Sequence, residues 1–248
     1  MRRSGSGLPT PIACGLTALA LVTSCEGRPH AKSAPSSTRS AKHVPIRVPL
    51  AEAPCEIEVF GRGRFDLEES YLPSVVTCED DGAGPEALRA QAIAARSVAY
   101  YAHTTQGGIC DGQACQVFSC GREATPAAIQ AVRETAGTYL GYGGVLTYGF
   151  YVAGDPDTSA PACQGGPRAG TESWVTYNEG RADLQITQTR LGYVHDSGDP
   201  GFGQNRGCMS QLGARCLETA LGYSTKEILA FYYGQDIELL VAAKVCRS

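Results

Sequence analysis

Three acids in a row, Glu79, Asp80 and Asp81, follow the apolar, β-branched run Val75-Val76-Thr77 and a cysteine, Cys78. A carboxyl group keeps a proton to donate near neutral pH only where partial burial or neighbouring negative charge disfavours its ionised form. Asp80 and Asp81 can supply that charge to Glu79; without burial, the three acids are one solvated turn. Arg89 and Arg96 stand seven residues apart, which on a helix is two turns and one face. Between them Gln91 places an amide among alanines, where packing favours an apolar residue, so it needs a partner, backbone or ligand. Nine cysteines fall after residue 52: Cys55, Cys78, Cys110, Cys115, Cys120, Cys163, Cys208, Cys216 and Cys246. Disulfides are the default for such a set in an exported chain, metal ligation the minority reading, and an odd number leaves at least one unpaired.

The elements that must position these groups are legible in part. Ile57-Glu58-Val59-Phe60 alternates as a half-buried strand does, and Gly61 and Gly63 loosen the chain just after it. Gly84-Pro85-Glu86 opens an alanine-rich helix that runs to about His103, with proline at the first helical position and an acid in the first turn. Ala87, Ala90, Ala92, Ala94, Ala95 and Ala99 leave room for close neighbours, so this helix is expected to be central and buried. A cysteine-rich loop from Gln106 to Gly121 precedes a second helix, capped by Thr125-Pro126 and stopping at Gly137. Tyr139 to Tyr142, Gly143-Gly144 and Val145 to Val152 predict a hairpin with an aromatic-rich second strand. From Ala153 to about Arg206 the chain is rich in Gly, Asp, Pro, Ser and Thr, too long for a plain connection and therefore a suspect binding surface. Ser224 with Glu227 forms a capping box for a helix ending at Gly234. Helices and strands do not alternate regularly, so the fold class is α+β: one domain of mixed helices and antiparallel strands with long irregular loops, stapled by disulfides.

Tyr71-Leu72-Pro73-Ser74-Val75-Val76-Thr77-Cys78-Glu79, followed by Glu86-Ala87-Leu88-Arg89-Ala90-Gln91-Ala92-Ile93-Ala94-Ala95-Arg96-Ser97, is similar to the defining segment of the SpoIID/LytB family of bacterial cell-envelope proteins. Cys115-Gln116-Val117-Phe118, Ala131-Val132 with Thr135 and Gly137, and Met209-Ser210-Gln211 with Gly213-Ala214 come next in family order, and the resemblance closes on Glu227-Ile228-Leu229 and Tyr232-Tyr233-Gly234. It implies one of two roles on peptidoglycan. Sporulation members are lytic transglycosylases acting on strands already stripped of peptide by an amidase; other members enhance a cell-wall amidase. A third reading is a disulfide-stapled binding module.

The resemblance puts the catalytic acid at Glu79. In a lytic transglycosylase one carboxyl protonates the glycosidic oxygen, then as a base takes the proton of the sugar's own 6-hydroxyl, closing a 1,6-anhydro ring without the second carboxylate of most glycosidases. Arg89 and Arg96 match basic positions near that glutamate. As substrate-binding residues the reading names Arg96, Arg89, Gln91, Ser210, Gln211 and Trp174; the alternative for Arg96 is that it anchors a carboxylate, Arg89 is equally a surface residue, and Trp174, after Thr171-Glu172, is equally a sugar-stacking ring or plain packing. Two departures stand out. Asp80 and Asp81 replace the apolar residue and proline that usually follow the glutamate, and Gln204-Asn205-Arg206 stands where a histidine is common. Family members with zinc in the loop of Cys110 and Cys115 suggest those cysteines with His103 as ligands, but Ala114 occupies a further histidine position, and three ligands make a poor structural site. A disulfide among Cys110, Cys115 and Cys120 is the expectation, with no cofactor; His195 is expected to be exposed.

The amino terminus points to export. Arg2-Arg3 precede an apolar stretch from Ile12 to Val22 that is too short to span a bilayer and ends at Cys25. Val22-Thr23-Ser24-Cys25 resembles a lipobox, ordinary cleavage being the alternative, and Glu26 fits transfer to an outer membrane. The organisation expected is a signal peptide over 1–24, a disordered tether over 25–52 and the SpoIID/LytB-like domain over 53–248, lipid-anchored at Cys25 and held in the periplasm or cell envelope. Expected partners are glycan strands, an N-acetylmuramoyl-L-alanine amidase and, through the anchor, a membrane. The net charge of −4 and the lack of a basic run outside the tether argue against nucleic acid.

Overall fold

The computed structural model describes residues 45–245; the signal peptide expected over 1–24, Cys25 and most of the expected tether lie outside the described residues. Strand β1 (Glu56–Val59) turns at Gly61 and pairs antiparallel with β2 (Gly63–Asp66). One π-helical turn, Leu67–Tyr71, starts under Asp66, whose side chain accepts from Glu69 N–H, and runs straight into α1 (Leu72–Asp80). Pro73 sits at the start of α1, where a missing N–H costs nothing.

Helix α2 (Pro85–Gln106) is the centre of the molecule. It ends at Gly107, whose φ of 74° makes the left-handed cap and returns an N–H to His103. Its alanines sort by face: Ala92, Ala95 and Ala99 join a core with β1, α1 and α3 (Pro126–Glu134), while Ala87, Ala90 and Ala94 join one with α4 (Gln211–Leu221) and α5 (Thr225–Tyr233). Thr125 caps α3 and the Ser224–Glu227 box caps α5, as their sequences predict.

The mixed α+β class holds, with one parallel pair added. Strand β3 (Thr138–Tyr142) lies between β4 (Val145–Leu146) and β7 (Glu238–Val241), all antiparallel. Gly143 and Gly144 both take positive φ, 57° and 75°, as a two-residue hairpin turn demands. The second strand expected over Val145–Val152 is broken: β5 (Phe150–Val152) leaves the hairpin and pairs parallel with β6 (Cys208–Ser210). Gly149 is the reason. It crosses α2 so closely that a Cβ there would lie 2.6 Å from the Ala94 carbonyl oxygen.

Residues 45–52, expected to belong to the tether, instead lie on the domain. Ile46, Val48 and Leu50 pack on the first core, Val48 N–H reaches the Gly144 carbonyl at 3.1 Å, and Leu50 N–H reaches the Tyr139 hydroxyl at 2.7 Å. Three disulfides, Cys78–Cys120, Cys110–Cys115 and Cys163–Cys216, staple the domain; Cys55 is also disulfide-bonded, and Cys208 is a buried free thiol. Among the described residues no helix is long and apolar enough to cross a membrane.

Candidate active site around Glu79

The last turn of α1 is tied down residue by residue. The Thr77 hydroxyl accepts from Thr125 N–H at 3.0 Å and its carbonyl from Arg122 at 2.8 Å; Cys78 is bonded to Cys120. Glu79, half-buried, receives the Val117 N–H on Oε1 at 2.7 Å and the Gln211 side-chain amide on Oε2 at 3.5 Å. Asp80, fully enclosed, is held by Arg215 Nε at 2.8 Å. The carboxyl of Glu79 therefore draws on three separate stretches: α1, the cysteine-rich loop and α4.

Helix α4 is set against this site by several ties. Ser210 Oγ caps it by accepting from Gly213 N–H at 2.9 Å. Arg215 grips Asp80, Cys216 is bonded to Cys163, and the Glu218 carboxylate accepts the Glu86 and Ala87 N–H groups at 3.0 and 3.1 Å, capping α2 from another helix. Gln211, the first residue of α4, is thereby aimed at Glu79.

Burial raises the pKa of Glu79 above the ordinary carboxylate value, and the hydrogen bonds from Val117 and Gln211 oppose part of that rise. The protonating influence is thus desolvation rather than the neighbouring acids in which the sequence suggested it. Asp81 faces outward to Arg122, and Asp80 turns toward Arg215. Asp80 itself is pushed up to about 7 by its burial, with Arg215 pulling it down and Glu79 and Glu218 adding to the rise. Beside Glu79 runs a short phenol and amide chain. Tyr71 donates its hydroxyl to Gln116 Oε1 at 2.8 Å, and Gln116 Nε2 reaches the Tyr151 hydroxyl at 2.9 Å and the Ala95 carbonyl at 3.1 Å. Burial holds both phenols well above their usual range, and the charge of Glu79 contributes to each shift.

Of the binding residues expected from sequence, the structure brings Gln211 to Glu79. Ser210 is fully used as the cap of α4. Arg96 corrects the expectation that it meets substrate. It is completely buried, its guanidinium forms a two-pronged pair with Glu68 at 2.7 Å on each prong, and it also serves the carbonyls of Val132 and Thr138 at 3.2 and 3.0 Å. Arg89 ties α2 to neighbouring elements through Glu86, Glu134 and Thr225. Gln91, expected to have a partner, is buried with neither amide atom hydrogen-bonded. Trp174 sits exposed on a 3₁₀ turn, Glu172–Trp174, where its carbonyl accepts from Thr189 Oγ1 at 2.7 Å.

Asn205 and Arg206, at the position of the common histidine, face other groups. Asn205 binds the Thr189 backbone through both ends of its amide, and Arg206 pairs with Asp236 and lies 3.7 Å over the Tyr142 ring. Cys110 and Cys115 are bonded to each other, which removes both from any zinc site, and His103 is exposed. His195 is buried rather than exposed, with Nδ1 3.2 Å from Asp199. The residues that sequence reasoning missed are Val117, Gln116 and Arg215. The first two lie in one of the family-like pieces, but a backbone N–H carries no side-chain signal; Arg215 follows Gln211 by one helical turn.

Residues 64–142 match the family model described as SpoIID, Stage II sporulation protein. The chain carries a SpoIID segment. That segment spans β2 to β3 and includes Glu79, Val117 and Arg89, while Gln211 and Arg215 lie beyond it. A SpoIID segment points to a cell-wall-related sporulation protein. No curated protein matches the chain.

Proposed function

We propose that the SpoIID domain is a lytic transglycosylase that cuts peptide-free glycan strands and leaves 1,6-anhydro ends. The observation that carries this reading is Glu79: a half-buried carboxyl, raised in pKa by desolvation and oriented on one oxygen by a backbone N–H. Such a group can hold a proton for the glycosidic oxygen and, once ionised, accept one from the sugar's 6-hydroxyl, while Val117 N–H stabilises the carboxylate between the two transfers. Gln211, on the other oxygen, orients the carboxyl without a charge. Cys25 would carry the lipid anchor that keeps the domain at the envelope.

The test is direct. Purified chain is incubated with amidase-stripped glycan strands, and products are read by mass spectrometry alongside Glu79→Gln. Anhydro ends from the natural chain that vanish in the variant are the expected result; none from well-folded protein sinks the reading.

One observation favours a second reading, an amidase-stimulating partner. Asn205 and Arg206 replace a histidine common in the family and are both occupied with loop packing. Under that reading the chain raises an N-acetylmuramoyl-L-alanine amidase's turnover, and Glu79→Gln leaves the stimulation intact.

A further inference from the structure

A polar pocket of about 520 Å³ opens in the long loop stretch between β5 and β6, with Gln164, Val175, Tyr177, Glu179, Arg181 and Thr187 on its walls. Neither Glu79 nor Gln211 takes part in it. Its volume falls within the about 300 to 1,000 Å³ typical of small-molecule sites.

Buried polar ties fix the walls. The amide nitrogen of Asn178, a fully buried residue, reaches the carbonyls of Thr187, Arg206 and Tyr232 at 3.1, 3.0 and 2.8 Å, and its oxygen accepts the Thr187 N–H at 2.7 Å. One amide thus joins the stretch that carries Tyr177 and Glu179 to the one that carries Thr187. Asn178 N–H reaches the Phe231 carbonyl at 2.7 Å, and Gln235 N–H reaches the Arg181 carbonyl at 2.8 Å. The Tyr177 hydroxyl accepts the Gly165 N–H at 3.0 Å, and its ring lies 5.8 Å from that of Phe231. Gln164 follows Cys163, which is bonded to Cys216 of α4. Walls held in this way need little ordering when a ligand arrives.

The pocket carries one charge of each sign, and the two are not spent on each other. Glu179 accepts the Tyr223 hydroxyl at 2.8 Å, Arg181 donates to the Thr187 hydroxyl at 2.8 Å, and among the described residues neither enters an ion pair. Hydroxyls hold both groups in place and leave their charges uncompensated. A ligand of a single sign would meet repulsion at one of them. A small ligand bearing an ammonium and a carboxylate satisfies both, while peptide groups suit the Gln164 amide and small side chains the Tyr177 ring and Val175. We propose that this pocket binds short peptides with both ends free, the ammonium toward Glu179 and the carboxylate toward Arg181. Hydrolysis of the amide that joins a peptide to a sugar creates such a free amine, so the reaction that strips the strands would supply this ligand. That source rests on the glycan reading of Glu79; the binding does not.

The probe is trialanine, titrated into the full chain and followed by amide chemical shifts. Its N-acetyl derivative, which mimics a peptide still joined through its amine, and its carboxamide are titrated alongside. Trialanine should bind, and blocking either end should weaken binding about three-fold or more. Glu179→Gln should weaken trialanine by a similar factor and leave the N-acetyl peptide as it was; Arg181→Gln should weaken trialanine and spare the carboxamide. Both side chains are exposed, so neither variant puts the fold at stake. Glu123→Gln, exposed but outside the pocket, should change nothing. No trialanine bound by the folded chain overturns the proposal. Equal binding of the N-acetyl peptide, which would give the pocket a carboxylate alone, overturns it too, as do shifts confined to residues away from Tyr177 and Thr187. Glu79→Gln should bind trialanine like the natural chain, so a protein that takes the peptide but makes no anhydro ends fails only the catalytic reading.

Discussion

Arg215 holds the carboxylate of Asp80 in full enclosure, with Nε 2.8 Å from Oδ1, while Oδ2 has no hydrogen-bond partner. The pair joins α1 to α4 one residue from Glu79. Because Asp80 titrates near 7 when folded and near 4 when unfolded, the folded chain binds its proton more tightly. Its contribution to stability is fully present below pH 4 and lost as pH rises through 7, on the order of 4 kcal/mol over that span. Asp80→Asn removes this dependence. Urea unfolding at pH 4.5 and pH 8 should show the variant gaining on the natural chain at the higher pH; a constant gap would mean that Arg215 keeps Asp80 ionised throughout.

Gln211 lowers the pKa of Glu79 by donating to its charged form. Gln211→Ala should therefore raise that pKa, keep the acid form to higher pH and move the falling, alkaline limb of the cleavage profile upward, with a lower maximal rate. A pH–rate series on stripped glycan checks both effects. A limb that stays in place would show that the 3.5 Å contact is too long to act on the carboxyl.

Removing one partner of a buried pair strands the other charge. For Arg96→Met, which leaves Glu68 without its two prongs, we expect a loss of about 3 to 5 kcal/mol in chemical denaturation. Arg96→Lys should recover little of it, because an ammonium cannot reproduce the fork. Affinity of the folded fraction for stripped glycan should not change; a selective loss of that affinity would restore Arg96 to the substrate.

Gln91→Met should stabilise the fold, by about 1 to 3 kcal/mol, since a buried amide with no partner costs its desolvation and the thioether does not. The thermal midpoint measures it. A drop in the midpoint would reveal a bond that the amide makes in solution.

Much of this architecture was readable from residue pattern alone. Gly84-Pro85 and the alanine spacing located α2 and its burial; Gly143-Gly144 located the hairpin; Thr125 and the Ser224–Glu227 box located two helix starts. What escaped did so for physical reasons. Val75-Val76-Thr77 is β-branched and reads against helix, yet α1 forms because Val75 and Val76 join the core shared with α2 while Thr77 accepts from Thr125 N–H, tertiary gains that local propensity cannot register. The parallel pairing of β5 with β6 joins residues 58 apart and leaves no local mark. At the site, Glu79 and Gln211 could be picked from the family pattern. For Arg96 the substrate was favoured over the carboxylate anchor that the structure shows, because a helix face says which way a side chain points and not whether solvent or a buried glutamate waits there.

Glu79 and Val117 fall within the SpoIID segment, but Gln211, Arg215 and Cys216 come from a helix made some 132 residues after Glu79. A chain emerging from its amino end thus possesses the acid long before it possesses the groups that seat it. Under the proposed function, incomplete chains would lack the chemistry, and a truncation product that still displays the SpoIID segment would be a blank, a blade without its handle.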